Sequence, residues 1–146
     1  MIQDRIKSTM AHKNLKILIV EDSREWQKYH LDLLNIYARD KSIELNIRVA
    51  NSAREGLEIV QENLKNPFDI IFSDLQMETD FSPEFAGEWF VKQVKQIKEY
   101  QKTRIIIVSA TYNIAFIGNK LGVEHLSKRV LINYPEAYYS ILDNII

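Results

Sequence analysis

Three short apolar runs punctuate the chain: Ile17-Leu18-Ile19-Val20, Ile70-Ile71-Phe72 and Ile105-Ile106-Ile107-Val108. Each is too short for a helix and rich in β-branched residues, the pattern of strands buried on both faces of a parallel sheet. Between the first two, Ile43, Leu45, Ile47 and Val49 alternate with Glu44, Asn46 and Arg48, which predicts a strand with one wetter face, suited to a sheet edge. Val123 to Leu126 adds a weaker fifth strand. The intervening segments carry helical spacing: Trp26, His30, Leu33, Leu34 and Tyr37 share one face, as do Ala53, Leu57, Val60 and Leu64, and then Phe90, Val94 and Ile97. Ser82-Pro83-Glu84 combines a capping hydroxyl, a first-turn proline and an early carboxylate, a helix start. Tyr138, Ile141, Leu142 and Ile145 predict a last amphipathic helix. Strand and helix alternate about five times, and right-handed crossovers turn such an alternation into a parallel sheet with helices on both faces. Met1 to Lys13 stands outside the pattern, as a frayed tail or a short extra helix.

Composition narrows the picture. At 146 residues and 46% hydrophobic, the chain suits one domain with one continuous core, spanning residues 14–146. A formal charge of −1 provides no overall field for nucleic acid or an anionic membrane. The absence of cysteine excludes disulfides, thiol catalysis and cysteine metal sites. No apolar run approaches a membrane span, and the first 16 residues carry charges where a signal peptide needs an apolar stretch. The expectation is a soluble, cytoplasmic protein.

In open α/β sheets, ligands bind beyond the carboxyl ends of the strands, and here those positions are polar. Glu21-Asp22 follows the first strand, Ser73-Asp74 the third, Ser109 the fourth and Ser127-Lys128 the fifth. Taken singly, each has an ordinary explanation: Asp22 with Ser23 as a helix cap, Asp74 as a turn residue, Ser109 as a strand-end hydrogen bonder, Lys128 as a solvated side chain. Together they converge on one end of the sheet. Two adjacent acids pointed at a third raise each other's pKa unless a cation sits among them, and an oxygen-only ligand set suits a hard ion such as Mg2+.

In this order, Ile17-Leu18-Ile19-Val20-Glu21-Asp22-Ser23, Ile70-Ile71-Phe72-Ser73-Asp74-Leu75-Gln76-Met77, Val108-Ser109-Ala110-Thr111 and His125-Leu126-Ser127-Lys128 resemble the motifs of response-regulator receiver domains of two-component phosphorelays. The resemblance runs from Asn14 to about Ile146. It implies a flavodoxin-like, doubly wound five-stranded parallel sheet of order 2-1-3-4-5. It further implies that Asp74 is the phosphoacceptor, that Glu21, Asp22, Asp74 and the backbone carbonyl of Gln76 hold Mg2+, that Lys128 and Ser109 contact the phosphoryl oxygens, and that Ser109 and His125 are the switch pair. Such a module is a phosphoacceptor switch rather than an enzyme. Its partners are a histidine kinase or histidine phosphotransfer protein and a downstream protein target, because one helix occupies most of the chain after Lys128. Dimerisation through the fourth helix, fifth strand and fifth helix stays open.

The sequence departs from the family in five places. His125 stands where a switch aromatic is usual, Arg129 where proline commonly follows the lysine through a cis bond, and Glu78 where proline follows the acceptor motif. The span from Asp74 to Gly87 is 13 residues, longer than usual, whereas that from Ser109 to Lys128 is short, which predicts an abbreviated fourth helix near Asn113 to Leu121. These departures keep a second function open: a pseudo-receiver, an interaction scaffold that takes no phosphate. A haloacid-type phosphatase needs an acid two residues past the nucleophile, where this chain has Gln76. A flavodoxin-type carrier needs a phosphate-cradling loop after the first strand, and nothing there resembles one.

Overall fold

A computed structural model of the chain describes residues 14–77 and 86–144. The apolar runs form the centre of a five-stranded parallel sheet: β1 Asn14–Val20, β2 Glu44–Ala50, β3 Ile70–Ser73, β4 Arg104–Ser109 and β5 Glu124–Ser127, in the order β2-β1-β3-β4-β5. The expected flavodoxin-like winding is therefore the observed one. The alternating strand β2 is an edge, and its apolar positions Leu45, Ile47 and Val49 are half-buried while Glu44, Asn46 and Arg48 are exposed.

The helices are α1 Arg24–Lys41, α2 Ala53–Glu62, α3 Ala86–Lys95, α4 Ile114–Leu121, α5 Lys128–Asn133 and α6 Glu136–Asp143, with a single 3-10 turn at Lys98–Tyr100. Serines start three of them. Ser23, Ser52 and Ser127 each hold an extended backbone and accept a hydrogen bond from an orphan N–H of the first turn, at Trp26, Glu55 and Arg129 respectively.

Strand alternation sends side chains to two cores. Leu18, Val20, Ile71, Ile105 and Ile107 pack with Val60 of α2, Phe90 and Val94 of α3 and Ile117 of α4. Ile17, Ile19, Ile70, Phe72, Ile106 and Val108 pack with Leu33, Leu34 and Tyr37 of α1, Leu131 of α5 and Tyr138 and Leu142 of α6. Both faces of the sheet are covered, as the continuous apolar runs require.

Of the expectations about helices, one changes and one holds. The closing amphipathic stretch is two helices rather than one: Pro135 has no N–H to continue α5, and Tyr134 before it is pushed to φ −136°, ψ 74°. The abbreviated fourth helix is real, and its eight residues end on Gly122 in the left-handed region, φ 71°. The N-terminal segment Met1 to Lys13, the helix start at Ser82-Pro83-Glu84, Glu78 and the last residues, Ile145 included, lie outside the described residues. No helix among the described residues is long and apolar enough to cross a membrane.

Candidate functional site

The sheet's hydrogen-bond ladder runs one residue past the strands, and this is what fixes the acidic groups. Glu21 N donates to the Ala50 carbonyl at 2.9 Å and Asp74 N to the Val20 carbonyl at 2.9 Å, so both residues leave the sheet at a defined height. The carboxylate oxygens of Glu21, Asp22 and Asp74 then come within 4.8 Å of one another. Glu21 is 1% exposed and Asp74 7%. Three ionised acids so close would push the chain apart without a cation, and one is present: Lys128 Nζ donates to Glu21 Oε1 at 2.6 Å and to Asp74 Oδ2 at 3.0 Å.

The remaining acceptors are used as well. Asp74 Oδ1 accepts from the Leu75 N–H at 2.7 Å, and Glu21 Oε2 from the Ser23 N–H at 3.0 Å. Burial first, and the neighbouring Asp74 charge second, push Glu21 up to about 7, against the pull of the Lys128 and Ser23 hydrogen bonds. At neutral pH one ammonium offsets only part of the charge of three carboxylates. The pocket fits a further hard cation: its ligands are all oxygen, and a divalent ion would replace the proton that Glu21 otherwise retains.

Lys128 reaches the acids without the family's proline. No peptide bond among the described residues is cis, and α5 begins at Lys128 itself, with Arg129 N donating to Ser127 Oγ at 3.2 Å. A proline at 129 would remove that donor. The helix start therefore fixes where the lysine's backbone stands.

Of the other expected residues, Ser109 is buried at the end of β4, its hydroxyl donating to Thr111 Oγ1 at 3.2 Å and accepting from the Thr111 N–H at 3.3 Å. Gln76 is exposed in the turn after Asp74. His125 is exposed on the edge strand β5, and its Nδ1 would stand 3.1 Å from a methyl group placed on Gly118 of α4. The capping role belongs to Ser23 and not to Asp22.

Three contributors escaped the sequence reading. Trp26 packs on the core from the apolar face of α1, and its ring centroid also lies 4.8 Å from Lys128 Nζ. Gln27 donates from Nε2 to the Glu21 carbonyl at 2.6 Å and to Asn51 Oδ1 at 2.8 Å, tying β1 to the loop after β2. His30 is fully buried between Phe72 and Tyr138, with Nδ1 2.8 Å from the Tyr138 hydroxyl.

Burial, reinforced by the Lys128 charge, lowers His30 to about 3. Its charged form is favoured in the unfolded chain, where it titrates near 6.5, so its contribution to stability is present above 6.5 and is lost as pH falls towards 3. Glu21, whose pKa is raised, has the opposite slope between 4.5 and about 7. The two oppose each other in the shared window, and replacing His30 separates them. Relative to the parent, a His30→Gln variant is expected to gain about 2 kcal/mol between pH 6.5 and 5, about 1.4 kcal/mol per pH unit, measured by urea unfolding at both values. A constant difference would refute the assignment of a neutral, buried His30.

No protein-family model matches the chain, and no curated protein matches it in sequence. Solved structures do match in fold. The chemotaxis response regulator CheY4 of Vibrio cholerae is 24% identical, with 92% of this chain covering 100% of that one at a TM-score of 0.67. The phosphorylated cyanobacterial phytochrome response regulator RcpA is 17% identical, covering 79% and 81% at 0.61. The Mn2+-bound response regulator Rcp1 is 18% identical, covering 78% and 81% at 0.60. The chain has the fold of receiver domains.

Proposed function

We propose that this chain is a receiver module that accepts a phosphoryl group on Asp74 from a phosphohistidine of a histidine kinase or phosphotransfer protein. The observation that carries the reading is the bridging of Glu21 and Asp74 by Lys128 within a trio of carboxylates at the carboxyl end of the sheet. The receiver fold and the likeness to a phosphorylated and an Mn2+-bound response regulator add support.

Glu21, Asp22, Asp74 and the Gln76 carbonyl would hold Mg2+, which when bound neutralises charge developing on the phosphoryl oxygens. The rest falls to the chain itself. Asp74 Oδ2 attacks phosphorus in line; the new O–P bond forms as the P–N bond to the donor imidazole breaks. Lys128 moves its ammonium from Asp74 Oδ2 to a phosphoryl oxygen, a charge-assisted hydrogen bond traded for another. The Leu75 N–H keeps Asp74 Oδ1 in place, and the Ser109 hydroxyl leaves Thr111 to donate to the phosphoryl group. Positioning and charge neutralisation dominate such a transfer.

The signal is then read by a downstream protein on the face built by α4, β5 and α5, where Phe116, His125 and Ile132 are exposed. The chain acts in the cytoplasm, as a switch and not as a turnover enzyme.

Amide spectra recorded while beryllofluoride is added to the Mg2+-loaded protein test this directly. Shifts at Leu75, Ser109, Thr111 and Arg129 are expected. A spectrum unchanged by beryllofluoride would instead make the chain a scaffold that uses the fold and never takes phosphate.

A further inference from the structure

Lys128 has three N–H donors, and two of them serve Glu21 Oε1 and Asp74 Oδ2. The remaining side of the ammonium faces the ring of Trp26, 4.8 Å from its centroid. The Lys128 side chain is only 9% exposed, so the indole stands where water would otherwise solvate the charge. An aromatic face holds a cation through its quadrupole, and the attraction strengthens as water is excluded.

Trp26 is itself held on several sides. Its backbone N–H donates to Ser23 Oγ at 3.3 Å in the first turn of α1, directly after the acidic pair. Its ring meets Tyr29 edge-on, with centroids 5.2 Å apart and planes at 89°. Tyr29 in turn donates its hydroxyl to the Leu131 carbonyl at 2.8 Å, one turn along α5 from Lys128. The start of α1 thereby grips α5 at two points, one on the ammonium and one on the backbone of the same short helix.

From this geometry we infer that Trp26 is a positioning residue for Lys128, keeping its ammonium aimed at Asp74 and, on the reading proposed above, at the phosphoryl group that Asp74 carries. The chain needs such a device because Lys128 opens a helix of six residues followed by Arg129, so the side chain's direction rests on what packs against it. A consequence separates this role from general support. Without the indole, Lys128 samples water, and ligands that need the ammonium suffer. A cation bound by the carboxylates alone does not.

The test compares Trp26→Met, which keeps apolar bulk, with Trp26→Phe, which keeps an aromatic face. Mg2+ alone and beryllofluoride in saturating Mg2+ are titrated separately and followed by amide shifts. In Trp26→Met the beryllofluoride midpoint is expected to rise about tenfold, with the Mg2+ midpoint unchanged or lower. Trp26→Phe restores most of the beryllofluoride affinity. Parent-like beryllofluoride binding in Trp26→Met, or equal weakening of both ligands, would overturn the inference.

The failure of the phosphoacceptor reading looks different: the parent itself ignores beryllofluoride. Trp26 is then judged on Lys128 alone. The ring current of the indole shifts the Lys128 side-chain protons upfield in the parent; Trp26→Phe retains a ring-current shift and Trp26→Met loses it. Unshifted Lys128 protons in the parent protein would overturn the inference with no variant needed.

Discussion

An Asp74→Asn variant is expected to take no phosphoryl group at all while folding about as stably as its parent. An amide nitrogen or oxygen of Asn cannot replace the carboxylate as a nucleophile towards phosphorus, and no other described carboxylate has Lys128 and the Leu75 N–H arranged on its two oxygens. The stability side of the expectation follows from opposing terms. Asn loses the charge that Lys128 meets at 3.0 Å, yet it also removes the second largest cause of the raised Glu21 pKa. Trading a buried ion pair for relief of a buried repulsion leaves the unfolding free energy within about 1 kcal/mol of the parent. Incorporation from a small acyl phosphate, followed by intact-protein mass, gives the first readout and urea unfolding the second. A phosphorylated Asp74→Asn protein would move the acceptor elsewhere in the chain.

Gly87→Ala is the substitution with the largest expected effect on stability. A methyl group on Gly87 would stand 1.8 Å from the Asp74 carbonyl oxygen and 2.7 Å from the Leu75 Cα. Neither atom belongs to a side chain that could rotate away. The Gly87 N–H also donates to the Leu75 carbonyl at 3.0 Å, so the start of α3 is laid directly on the turn that carries Asp74. Relief requires α3 to withdraw from that turn, taking Phe90 and Val94 partly out of the core they fill. The cost is expected at about 3 kcal/mol or more, a large part of the roughly 5–15 kcal/mol that holds a domain of this kind together. Gly122→Ala provides the contrast. Its backbone is left-handed, but its methyl group would meet only the Lys95 ammonium, at 3.0 Å, so a loss of about 1 kcal/mol is expected. Equal midpoints for the two variants in urea would contradict the contact at Asp74.

The strands were legible because the sheet is buried on both faces, so its central strands show as unbroken apolar runs and its edge β2 as an alternation. The polar groups after those runs were legible for a related reason. Little but an acidic pocket accounts for Glu21-Asp22, Ser73-Asp74 and Ser127-Lys128 directly following apolar strands. What the sequence hid was pairing at long range. Lys128 meets Glu21 across 107 residues and Tyr29 meets Leu131 across 102, and no local pattern encodes either. Trp26 does pack against the core from the apolar face of α1, but helical periodicity gives no sign that a cation also lies against its ring. The split of the closing stretch into α5 and α6 was marked by Pro135, but Lys128–Asn133 is too short for periodicity to register. Arg129 in place of the common proline was legible from a single residue; its consequence for Lys128 was not. Lys128 nonetheless reaches the acids, because the capping Ser127 starts a helix that sets its backbone beside them.

The same long-range closure bears on how the chain folds. Glu21, Asp22 and Asp74 directly follow strands β1 and β3, neighbours in the sheet, and leave the ribosome well before Lys128. Until β5 docks on β4, the first three strands can pair only by driving acids together with no ammonium between them, a growing repulsion in a region that is losing water. Docking of the last strand and arrival of the counter-charge are therefore one event. On this ground β5 is expected to dock last, and a cation drawn from the medium to speed that step by standing in for Lys128, which refolding rates with and without Mg2+ would show.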